Sequence, residues 1–63
     1  MKAREMRELA PEELNQRVSE WKRKLLTLRF QLASGQLTNT AELVKTKRDI
    51  ARAMTILRER EHA

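Results

Sequence analysis

Gly35 is the only glycine in this 63-residue chain. It stands between two runs whose apolar residues recur at steps of three and four. In the first run they fall at Leu14, Val18, Trp21, Leu25, Leu28 and Leu32. In the second they fall at Leu43, Thr46, Ile50, Ala53 and Leu57, with Met54 at the edge. That spacing is the period of a helix that packs one stripe against another helix. A glycine just past the first run supplies the left-handed backbone with which many helices end. The pattern predicts an all-α fold: an antiparallel two-helix hairpin with long helices over about residues 11–34 and 40–61. Met1 to Leu9 is expected to form a short N-terminal helical arm, with Met6 and Leu9 turned inward. Residues 1–63 then make a single helical-hairpin domain.

The helix ends carry their own signals. Pro11 suits a first helical position, because its missing N–H would be unbonded there anyway. Glu12 and Glu13 follow at the positive end of the helix dipole. Leu9 and Leu14 have the spacing of a hydrophobic staple, whereas Ala10 offers no side-chain acceptor as an N-cap. Asn39 is placed to cap the second helix, with Glu42 three residues on as reciprocal partner. Arg58 and Arg60 suit its negative end. Pairing residues whose numbers sum to 74 or 75 sets Leu32 beside Leu43, Leu25 beside Ile50 and Trp21 beside Ala53. Large then meets small, as close packing requires.

A chain of this length buries only about 60% of the surface its unfolded form exposes. A partner surface is therefore expected to complete it. The charge says what kind. Between Lys22 and Arg58 nine basic residues stand against two acids, Glu42 and Asp49, a local charge of +7 within a total of +5. Such a gradient orients a protein toward a polyanion. Lys45, Arg48 and Arg52 follow i, i+3, i+7 spacing and share a face away from the seam. Lys47 sits at the seam edge. Lys22 and Arg29 share a flank with Leu26, Phe30 and Ala33. That flank reads either as a surface for a protein partner or as peripheral core. Gln31, Gln36 and Asn39 suit turn bonding and partner contact equally well.

Other classes find little support. There is no cysteine for a disulfide or a cysteine-ligated zinc. No apolar run approaches the roughly 20 residues that span a bilayer. The start of the chain lacks the apolar core of a signal peptide, so the chain is expected to stay in the compartment where it is made. Glu59 and His62 have Glu-x-x-His spacing, but diiron bundles need several such ligands on facing helices. Neither a phosphate-binding glycine-rich loop nor a Ser–His–acid set is present. No enzyme activity, cofactor, metal or small-molecule substrate is expected.

Several blocks resemble one family in particular. They are Met1-Lys2-Ala3, Arg7-Glu8-Leu9, Pro11-Glu12-Glu13-Leu14, Leu28-Arg29-Phe30-Gln31 and Ala33-Ser34-Gly35-Gln36-Leu37. Asn39-Thr40, Lys47-Arg48-Asp49-Ile50-Ala51-Arg52 and Thr55-Ile56-Leu57-Arg58 continue the match over almost the whole chain. The sequence resembles the bacterial form of the large-subunit ribosomal protein L twenty-nine family. The resemblance implies a cytoplasmic structural component of the large ribosomal subunit. It implies binding to ribosomal RNA near the polypeptide exit tunnel, beside ribosomal protein L twenty-three, where trigger factor and the signal recognition particle dock. Carried over to matching positions, the implied RNA contacts are Arg29, Gln31, Gln36, Asn39, Thr40, Lys47, Arg48 and Arg52. The residue stripe adds Lys45, and the protein-facing flank is Lys22, Leu26 and Phe30. The rival architecture is a homodimeric four-helix RNA-binding bundle. It would require a second continuous apolar seam, which the Leu26–Phe30–Ala33 cluster is too short to provide.

Overall fold

The structure is a computed structural model, and it describes residues 1–37 and 39–61. Thr38, His62 and Ala63 lie outside the described residues, and the Glu59–His62 spacing falls outside with them. The described residues form three helices and no strand: α1 (Ala3–Glu8), α2 (Pro11–Ala33) and α3 (Ala41–Glu61). They fill a rod of 43 × 16 × 16 Å.

Local chemistry accounts for the ends. Pro11 opens α2, and the Leu14 N–H bonds the Ala10 carbonyl at 3.0 Å while Ala10 itself gives no side-chain cap. Leu9 packs against the cluster that holds Leu14, in keeping with the staple spacing. At the far end Gly35 takes φ +80°. The Gln36 N–H bonds the Gln31 carbonyl (2.9 Å) and the Gly35 N–H bonds that of Leu32 (3.2 Å), the two bonds of a Schellman ending. Asn39 Oδ1 accepts the Ala41 N–H at 2.9 Å and so caps α3. Glu42 does not complete the expected reciprocal pair. It turns across to α2 and ion-pairs with Lys24.

The core lies at the base of the hairpin, where three helices meet. Met6 of the arm is fully buried together with Leu14, Val18, Ile50, Ala53 and Ile56, and Trp21, Leu25 and Leu57 pack around them. Toward the turn there is only the two-helix seam of Leu28, Leu43 and Thr46. Thr46 is tolerated there because its hydroxyl donates to the Glu42 carbonyl one helical turn back (2.8 Å), leaving its methyl for the seam.

The register departs from a constant sum of 74 or 75. On the flank away from the arm, Val18 and Leu57 line one cleft with Lys22 and Met54, in agreement with it. On the arm side Lys24 pairs with Glu42, whose numbers sum to 66. At a sum of 75 those residues would stand nine positions, or roughly 13 Å, apart along the axis, which is beyond their joint reach. The cause lies in the turn. The Gln36 and Leu37 N–H groups both bond the Gln31 carbonyl, so the chain folds back along α2 before α3 begins. Leu28 and Leu43 are buried at this level, and Leu32, expected in the seam, is left 42% exposed beyond the start of α3. Trp21 packs against a cluster that holds Ile50 as well as Ala53.

Met6→Ala should cost about 2–5 kcal/mol, the range for a fully buried methionine. Phe30→Ala, at a side chain exposed to solvent, should stay within about 0.5 kcal/mol. Thermal or urea denaturation of the two variants checks both values. Equal effects would mean that the arm does not dock.

Candidate polyanion-binding surface

Lys45, Arg48 and Arg52 lie along one face of α3, but that face is not wholly turned from the seam as the spacing predicts. Lys45 also borders a cleft against α2 with Arg17, Trp21 and Lys24, and Arg52 borders the arm beside Ala3 and Arg7. With Ala41, Val44 and Asp49 the three cations line a shallow depression that Met1 closes on one side. Lys45 and Arg48 make no ion pair among the described residues. Arg52 is engaged: its Nη1 donates to the Met1 carbonyl at 3.2 Å, so it fastens the N-terminus as well as contributing charge. Asp49, the one acid in the stripe, is 8% exposed, and the Met1 ammonium donates to its Oδ1 at 3.2 Å. The stripe therefore presents cations while its acid is neutralised from within.

Of the remaining expected contacts, Gln31, Gln36, Asn39 and Thr40 lie at the turn, whereas Arg29 stands one turn before the end of α2 and Lys47 nearly two turns into α3. Arg29, Gln36, Asn39, Thr40 and Lys47 are exposed, and Gln31 is half-buried. Asn39 spends its side-chain oxygen on the cap, and the Gln31 backbone carbonyl takes the two bonds that reverse the chain. Lys22 lies apart from the stripe, in the cleft between α2 and α3 with Met54, Leu57 and Arg58. Leu26 and Phe30 are 70% and 73% exposed, which removes the peripheral-core reading of that flank.

Three contributors fall outside the seam residues read from periodicity. Asp49, Ile56 and Arg60 join Ala53 in a second stripe on α3 that faces the arm. Ile56 is buried against the base cluster. Arg60, expected only to complement the helix dipole, donates to the Arg7 carbonyl and to the Leu9 carbonyl (2.6 Å), binding the elbow between α1 and α2. Arg7 adds an exposed pair with Glu59 at 3.9 Å. The sequence signal was present: positions 49, 53, 56 and 60 repeat at steps of four, three and four. Two of those four residues are charged, so an apolar search passes over them.

Lys24 and Glu42 clasp the two long helices near the turn. The hydrogen bond from Lys24 and then its charge hold the Glu42 carboxyl below the usual glutamate range; desolvation pushes the other way, and the charge of Lys45 adds the smallest downward contribution.

What the surface offers is shape and charge. No group of three or more His, Cys, Asp or Glu side chains among the described residues could hold a metal ion. No described helix is long and apolar enough to cross a membrane. The class so defined is a small basic helical hairpin, buttressed by an arm, that acts through its outer faces. Comparison with known proteins narrows the class. The family model described as "Ribosomal L29 protein" matches residues 4–60. A relative from Thermotoga petrophila is 61% identical over 61 residues, covering 97% of this chain and 92% of its own. One from an Exiguobacterium species is 57% identical over 61 residues (97% and 91%), and one from Geobacillus stearothermophilus 54% over 63 (100% and 96%). All three are named "Large ribosomal subunit protein uL29". The chain belongs to the ribosomal L29 protein family, whose members are structural and not enzymatic.

The Lys24–Glu42 clasp has a spectroscopic signature. In an NMR titration Glu42 should titrate below the ordinary glutamate range, and Lys24→Gln should return it there. A carboxyl with a depressed folded-state pKa stabilises the fold above its unfolded value, and that stabilisation is lost as pH falls through the folded value. The hairpin of Lys24→Gln should accordingly lose less stability than the parent on acidification through this range.

Proposed function

We propose that this chain is a structural component of the large ribosomal subunit in the cytoplasm and that it binds ribosomal RNA there, near the polypeptide exit tunnel and beside ribosomal protein L twenty-three. The observation that carries the RNA reading is the Lys45–Arg48–Arg52 face, whose only acid is already paired with the N-terminal ammonium. A phosphate approaching this face meets guanidinium forks suited to two parallel hydrogen bonds and no free carboxylate. Arg29, Lys47 and the polar residues Gln31, Gln36, Asn39 and Thr40 extend the same contact around the turn. The names of the relatives support the setting.

Lys22, Leu26 and Phe30 form the surface for a protein neighbour. An exposed aromatic and an exposed leucine one turn apart, beside a lysine, suit a partner that offers apolar groups ringed by acids. In this setting the neighbour is ribosomal protein L twenty-three, and trigger factor and the signal recognition particle are candidates for contact at the tunnel exit. Within the ribosome the protein acts as a monomer. The exposed large apolar residues are scattered over both long helices (Leu26, Phe30 and Leu32 on one, Val44 and Met54 on the other) and give no second seam for a four-helix bundle.

With about four to six phosphates neutralised, log affinity for large-subunit ribosomal RNA should fall against log salt with a slope of roughly −3 to −5. A filter-binding titration over a range of salt measures it, and a flat dependence would sink the electrostatic account.

Replacing single arginines separates binding from folding. Arg48→Gln should weaken RNA binding by about 1–2 kcal/mol, a charge-assisted hydrogen bond discounted for exposure, with thermal stability unchanged. Arg52→Gln should weaken binding similarly and also loosen the N-terminus, because it loses the Met1 carbonyl bond.

A further inference from the structure

Asp49 is a carboxylate set among Lys45, Arg48 and Arg52 in sequence and then buried by the fold. A buried carboxylate is costly unless a cation and hydrogen bonds meet it. None of those three side chains comes within ion-pairing distance. Among the described residues, the cation that does is the Met1 ammonium. Arg52 then holds the other end of the same residue through the Met1 carbonyl. The Met1 side chain packs against the base cluster, and the arm that follows carries the fully buried Met6. Two residues of α3 thus grip both backbone termini of Met1.

We propose that the Met1 amine is an acylation-sensitive latch. Asp49 recognises a free primary amine at position 1, while Arg52 holds the carbonyl of the same residue. A formyl or acetyl group there releases the arm and exposes an uncompensated negative charge in the basic stripe. The chemistry is that of an amide: an acylated nitrogen carries no charge and keeps one N–H, so it cannot neutralise Asp49. Hydrolysis of a formyl group restores the latch. Water adds to the formyl carbon, the C–N bond breaks, formate leaves, and the freed amine takes up a proton. The latch itself rests on the ion pair alone. Its effect on the basic stripe rests on the RNA-binding function proposed above.

The test compares four synthetic 63-residue chains: free or N-acetylated, each with Asp49 or with Asp49→Asn. Amide hydrogen exchange at Met6 and Leu9, whose N–H groups bond Lys2 and Met6 carbonyls, reports the arm. Acetylation should speed exchange there at least tenfold while amides in the middle of α2 stay within about threefold. Asp49→Asn alone should do the same, and acetylation of that variant should add less than about twofold. Unchanged exchange on acetylation, or effects of the two changes that multiply, would overturn the latch. Binding to large-subunit ribosomal RNA reads the second consequence: acetylation should weaken it and make the salt slope shallower by about 0.7–0.9. An unchanged slope would break the link to the stripe. If none of the four chains binds this RNA, the proposed function fails, and the exchange comparison still decides the latch.

Discussion

The fold depends on the docking of the N-terminal arm, whose helix α1 has six residues. Two helices in contact cover one stripe each and leave the sides of the seam open to water. Here α1 lies along α3, with Met1 beside Asp49 and Arg7 beside Glu59, and places Met6 where those open sides would otherwise be wetted. Burying one such side chain contributes roughly 1.5–3 kcal/mol, a large share of the stability available to so short a chain. A helix of six residues does not persist by itself. It is held by what it touches: an ion pair at its start, methionine in its middle, and the guanidinium of Arg60 on the carbonyls at its end.

This arrangement divides the charges into two sets. The Met1 ammonium, Lys24, Arg7 and Arg60 are used within the protein, against Asp49, Glu42, Glu59 and the backbone of the elbow. Among the described residues Lys45 and Arg48 make no such pair, and Arg52 belongs to both sets. Physiological salt screens charge over about 8 Å, half the 16 Å width of the rod. A bound polyanion therefore senses the local stripe more than the total charge. Pairing Asp49 internally matters for that reason: one bare carboxylate within the stripe would cancel a third of its local charge.

A protein built this way works by position. Its grooves are shallow and its functional groups stand on regular helices, so precision comes from the stiffness of α2 and α3 and from the clasp between them. Family membership agrees with this physical reading, since a structural ribosomal protein needs rigid placement of cations and a contact flank, with no chemistry of its own.

The sequence by itself determined the all-helical class, the three helices, their ends and the main seam. These follow from local rules: a 3.6-residue period, a proline that cannot donate, an asparagine that can cap, a glycine that accepts φ +80°. That Lys45, Arg48 and Arg52 share a face of α3 was equally legible, because spacing of three and four on a helix fixes which side chains stand together. Tertiary structure alone decided the rest. Leu32 left the seam because the turn folds back before α3 begins. Glu42 left Asn39 for Lys24 because that fold-back brought a lysine within reach. Asp49, Ile56 and Arg60 became a second stripe only when the arm lay against them, and a position 48 residues from Met1 has no local signal to announce that contact. Periodicity is a property of one helix, whereas these choices depend on how far one helix slides past another, and that is set by the sum of many weak contacts across the chain.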